Sequence, residues 1–162
     1  MTSRTLKWLA AGAALFGGLL AGSTAVRTVT QVPAWAALGA LPWATYSRAE
    51  NAAPGSLWYP ATGLAALLLT VGTAIAFRFS RHGRASAFPV YFAVVPTVLS
   101  ALITLVAVVP IMSGLNAAAT NGPALELLFL RVASWWRVND LLHVLAFMGN
   151  LWALSTIASR AS

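Results

Sequence analysis

Between Lys7 and Arg27 the chain carries no charged side chain, and the same holds from Glu50 to Arg78, from Arg84 to Glu126 and from Asp140 to Arg160. An apolar stretch of about 20 residues is what an α-helix needs to cross a bilayer. The charge-free runs therefore predict four spans, at about 8–26, 60–77, 88–112 and 141–159. Composition supports the same class. Hydrophobic residues make up 59% of the chain and charged ones 8%, against roughly 45–50% and 25% in soluble domains. A mean hydropathy of +0.79 excludes a soluble globular protein. The aliphatic and aromatic content equally excludes a disordered chain. The expected architecture is all-α: one membrane domain over 1–162, a four-helix transmembrane bundle with the lipid bilayer as its main partner.

Charge placement predicts the orientation. Arg4, Lys7, Arg78, Arg81, Arg84 and Arg160 fall on the side shared by the termini and the short connection, with no acid among them. Arg27, Arg48, Arg131 and Arg137 fall on the other side with all three acids, Glu50, Glu126 and Asp140. By the positive-inside rule this is a multi-pass cell-membrane protein with both termini cytoplasmic. The net charge of +7 is then mainly an orientation signal. Single scattered cations do not form the patch that nucleic acid needs, so no nucleic-acid partner is expected. Arg4 and Lys7 before an apolar run also resemble a secretory signal. The run is as long as a full span, however, and removing it would leave an odd number of helices. It is read as the first helix.

The segment 27–59 is expected to be a long outer loop containing a short interfacial helix bracketed by Pro33 and Pro42. Trp35, Trp43, Tyr46, Trp58 and Tyr59 suit a membrane interface there. A lid over an opening between the helices is the sharper reading. From Ala124 to Arg160 no proline interrupts the chain, and about 55 Å of helix at 1.5 Å per residue exceeds the ~30 Å hydrocarbon core. The fourth helix must project from the membrane or bend near Ser134, with Trp135 and Trp136 at the interface. Pro96 and Pro110 should disturb the third span. Gly18 and Gly22 make a GxxxG pair that would permit close helix approach or a homo-oligomer.

Ionisable groups inside a span mark functional candidates, and His143 is one. At helical spacing Trp136, Asn139, Asp140, His143, Phe147 and Asn150 share a face. Arg137 is placed to pair with Asp140 at i, i+3. Ser113, Asn116 and Asn121 near the end of the third span, and Ser23, Thr24, Arg27 and Thr28 at the end of the first, are expected at similar depth. They could close an outward pocket with His143. The bland alternative is polar glue between helices. Without cysteine there is no disulfide, thiolate ligand or cysteine nucleophile. One outer histidine and three acids make a poor transition-metal set, and His82 lies on the opposite side, which excludes bis-histidine haem within one subunit. No metal and no cofactor is expected.

The order of features carries a resemblance. Val32-Pro33-Ala34 is followed by Trp43, Tyr46, Ser47 and Arg48, then by a third helix ending Val-Val-Pro-Ile-Met-Ser-Gly-Leu-Asn (108–116). Trp135-Trp136-Arg137-Val138-Asn139 then leads into the last helix. Over nearly its whole length the chain resembles the small four-helix membrane family that includes the anthrone oxygenases of polyketide pathways. Pro110 and Asn116 match that family's third-helix pattern with looser spacing. Trp135 or Trp136 and Asn139 match the fourth-helix pattern, whose arginine is here Leu142. The resemblance implies cofactor-independent oxygenation of a flat aromatic substrate. His143 would be the base, oriented by Asp140 or Asn139. Asn116, Asn139 or Arg137 would stabilise the enolate, Trp136 would stack on the ring, and Arg27 and Trp43 would line the pocket. The alternative is a non-enzymatic accessory subunit or a binder of a hydrophobic ligand.

Overall fold

The structure, a computed structural model, describes residues 3–80, 87–117 and 122–159. Among the described residues every regular element is helical, and four helices are long and apolar enough to cross a membrane: Arg4–Leu38, Trp58–Arg78, Ala87–Leu115 and Pro123–Ser159. Large apolar side chains such as Leu15, Leu68, Ile75, Leu99 and Val106 point outward from them, which suits a membrane environment and not water.

The first span begins as α1 (Ser3–Val26), passes through a π turn at Arg27–Gln31 and continues as α2 (Val32–Leu38). The third has the same construction: α5 (Ala87–Ile103), a π turn at Thr104–Val108, then α6 (Val109–Ala117). Both π turns end two residues before a proline, ahead of Val32-Pro33 and Val109-Pro110. Proline has no N–H to donate and its ring crowds the carbonyl of the preceding turn. The chain answers by widening that turn. Val32 N–H reaches back to Arg27 O and Val109 N–H to Thr104 O, the five-residue bonds of a π bulge. Pro96, by contrast, sits inside α5 without a π turn.

Gly39, with φ of 93°, ends α2 and turns the chain into α3 (Ala40–Ala52). Only glycine takes such a backbone readily. The segment expected as a long loop is thus helical almost throughout. The prolines start helical segments and do not bracket one, and the break is at the glycine. After a 3₁₀ turn at Pro54–Leu57, α4 (Trp58–Arg78) returns along α1, and α7 (Pro123–Ser159) runs unbroken for 37 residues.

The long helices close a ring, α1 on α4 and α7, and α5 on α4 and α7. Each end of the ring has its own apolar core. At one end α2, α3, α6 and the first half of α7 bury Trp35, Trp43, Leu115, Phe129, Val132 and Trp136. At the other Leu6, Phe77, Val90, Ala153 and Ile157 pack together. Between the two cores the inward-facing side chains become polar.

Candidate functional site

α7 supplies most of the polar wall. Trp136, Asn139, Asp140 and Asn150 are buried along one face, with His143 and Phe147 half-buried between them. Asp140 meets the opened turn at the end of α1: Arg27 Nη2 lies 2.5 Å from Asp140 Oδ1, and the Thr28 hydroxyl donates to Asp140 Oδ2. The guanidinium sits 4.7 Å from the centre of the Trp136 ring and 5.6 Å from that of Tyr59. Charge is therefore paired and flanked by aromatic faces, which a buried ion pair requires in a low-dielectric setting. The expected Arg137–Asp140 pair does not form, because Arg137 is on the exposed side of α7 while Asp140 points into the ring.

Two rungs link α7 to the third span. Ser100 Oγ and His143 Nε2 are 2.6 Å apart, and Asn139 Nδ2 donates to Thr104 Oγ1 at 3.0 Å. Ser100 and Thr104 are four residues apart, as are Asn139 and His143, so antiparallel helices bring both pairs into register at once. His143 is oriented by Ser100, and not by Asp140 or Asn139 as expected. Further along, Thr70 and Asn150 hydrogen-bond each other across the ring.

Three buried polar atoms of this wall have no hydrogen-bond partner among the described residues: Arg27 Nε, Asn139 Oδ1 and His143 Nδ1. An unsatisfied buried group costs about 1–3 kcal/mol, so each is a natural partner for a polar atom of a ligand or for water. The wall borders a cavity of about 530 Å³, within the ~300–1,000 Å³ range of small-molecule sites. Its polar side is formed by Arg27, Ser100, Thr104, Asn139 and His143, and its apolar side by Leu20, Leu64, Leu67, Leu105 and Val108. Glu50, Asn51 and Ser56 border one end.

Of the residues expected in the site, Arg27, Asn139, His143 and Trp136 line the cavity. Asp140 stands behind Arg27 as its counter-ion. Trp43 is wholly buried against Phe129 and Trp136 and is core, not cavity wall. Trp136 is likewise inside the molecule instead of at an interface, and one of its faces is taken by Arg27. Ser113 is exposed. The Asn116 side chain, Asn121 and His82 lie outside the described residues. Sequence reasoning missed Ser100, Thr104 and Tyr59. The first two carried a signal, an i, i+4 hydroxyl pair in the third span that matches the Asn139–His143 spacing. Among the described residues no three His, Cys, Asp or Glu side chains converge as a metal site would require. No family model, curated protein or solved structure matches this chain.

Proposed function

We propose that this chain binds a flat aromatic molecule in the cavity between its helices and that His143 removes a proton from it, the chemistry of an anthrone-type, cofactor-independent oxygenase. The observation that carries the reading is the polar wall: a histidine held at one ring nitrogen by Ser100, beside a cation and an amide, facing an otherwise apolar cavity. A base works best with its pKa near the operating pH and its lone pair within reach of the proton. The His143 nitrogen not engaged by Ser100 is the acceptor. The negative charge left on the substrate oxygen is met by Arg27, whose unpartnered Nε is a donor already in place before the reaction, while Asn139 Oδ1 accepts from a substrate hydroxyl. The carbanion gives electrons to dioxygen and forms a C–O bond. The resulting hydroperoxide loses water, turning methylene into carbonyl, so one dioxygen yields one quinone and one water. Trp136 acts by holding Arg27, not by stacking on the substrate.

The test is anthrone oxidation by protein in phosphatidylcholine nanodiscs, followed by dioxygen uptake and quinone formation. His143→Gln should slow turnover by about 100-fold or more, the usual contribution of a general base, and Ser100→Ala should slow it less. Wild-type protein that neither binds nor oxidises anthrone, with His143→Ala indistinguishable from it, sinks the proposal. The closed Arg27–Asp140 pair favours a second reading, a hydrophobic-ligand binder without chemistry. Retention of anthrone with no dioxygen uptake would select it.

A further inference from the structure

The cavity is not sealed within the ring. Leu64 on α4, and Leu105 and Val109 on the opposite rim, line it and are at the same time 56%, 65% and 46% exposed. Side chains that face both the cavity and the exterior mark an opening, here between α4 and the π turn of the third span; exposed Asn51 and Pro60 mark a second, more polar one at the α3–α4 end. Leu64, Leu105 and Val109 belong to the apolar spans Trp58–Arg78 and Ala87–Leu115, so the first opening faces hydrocarbon and not water. The size of the cavity is the second observation. At the ~0.75 packing density of protein interiors, 530 Å³ accommodates about 400 Å³ of ligand atoms, roughly twice a three-ring aromatic. The third is charge. Arg27 is matched by Asp140, the polar groups beside it (Ser100, Thr104, Asn139 and His143) are hydroxyl, amide and imidazole, and the one further charge on the lining, Glu50 at its end, is negative. An anionic head would have to displace Asp140, whereas a neutral hydroxyl would donate to the unpartnered Asn139 Oδ1 or His143 Nδ1, and a ketone would accept from the unpartnered Arg27 Nε.

We infer that the ligand is a membrane-dissolved amphiphile with an uncharged phenolic or ketone head and a single long apolar tail, admitted sideways from the bilayer. The head lies on the Arg27–His143 wall, and the tail leaves between Leu64 and Leu105. This rests on the proposed site and adds its substrate class and its route of access.

The experiment measures binding of tritiated pentadecylphenol and anthrone to the full chain in phosphatidylcholine nanodiscs by scintillation proximity, with palmitate as competitor. Leu64→Trp and Leu105→Trp fill the opening from positions exposed enough to tolerate the larger ring. Each should lower the ratio of pentadecylphenol to anthrone affinity at least about tenfold, the factor produced by ~1.4 kcal/mol of lost contact. Leu68→Trp, one turn away on the outer face of α4, should leave the ratio unchanged, and palmitate should not compete. An unchanged ratio in both opening variants, or effective competition by palmitate, overturns the inference while leaving anthrone oxidation untouched. Opening-dependent binding of pentadecylphenol by protein that ignores anthrone would overturn the oxygenase reading and keep this one.

Discussion

Asp140 shows how much a single side chain depends on its surroundings in this bundle. Its carboxylate is held by Arg27 and Thr28, and its own side of α7 offers no substitute, since Arg137 faces outward. Removing one member of a buried pair strands the other charge, at a cost of about 3–5 kcal/mol. Asp140→Asn should therefore destabilise the protein by roughly that amount, measured by SDS titration of the purified protein. The double variant Arg27→Met, Asp140→Leu removes both charges and should recover wild-type resistance or exceed it, because desolvation opposes the pair as strongly as attraction favours it. It should also lose binding of any ligand that uses Arg27. Retained stability in Asp140→Asn would show that the pair is not buried as described.

At the level of elements, helix approach and helix widening set the shape of the site. A Cβ added at Gly149 would lie 2.9 Å from the Ala93 Cα, so α5 and α7 touch through bare backbone there. Gly149→Ala should cost about 1–3 kcal/mol by forcing the helices apart. Gly22→Ala, where a Cβ meets nothing within 4 Å, should be neutral or gain up to ~1 kcal/mol of helix propensity. Comparing thermal unfolding of the two in detergent checks both. The same contrast separates the apparent GxxxG pair: a Cβ at Gly18 would press 2.9 Å from Phe147 Cε2, inside the ring, while Gly22 is exposed. The π turns offer a different handle. Each accommodates one residue more than an α-helical turn. Deleting exposed Val106 should then yield a folded protein with an α-helical turn in place of the bulge, whereas deleting Leu99 from regular α5 should not. Circular dichroism and monodisperse elution distinguish these outcomes. Ligand binding should weaken in the Val106 deletion, since Thr104 and Val108 border the cavity within that turn.

For the whole molecule, two apolar cores pin the ends of the ring and leave a polar layer and a cavity between them. Orientation across the membrane is a property at this scale, and the uneven distribution of arginine and lysine predicts it. Reporter fusions should report both termini in the cytoplasm. Moving charge, by replacing Arg4 and Lys7 with Asn and adding lysines beside Arg48, should produce a mixed or inverted population. Unchanged orientation in that variant would mean that the later charges dominate.

Four apolar helices and a polar face on the last of them were legible in the sequence, because hydrophobic length and 3.6-residue spacing are local properties read along one chain. His143 was legible as a candidate because an ionisable group inside an apolar span stands out, Asn139 by its helical spacing from His143, and Arg27 by its place at the end of the first span. Their partners were not. Whether Asp140 pairs with Arg137 or Arg27, whether His143 rests on Asp140 or Ser100, and whether Trp43 and Trp136 sit at an interface or in a core all depend on how the helices are rotated against one another. That rotation is set by packing around the whole ring, by Gly149 against Ala93 and by the extra residue in each π turn. The residues of each helix determined that it would seek an apolar environment; only the packed bundle decided which polar groups would meet inside it, since a buried charge or hydroxyl takes the partner that neighbouring helices bring within reach.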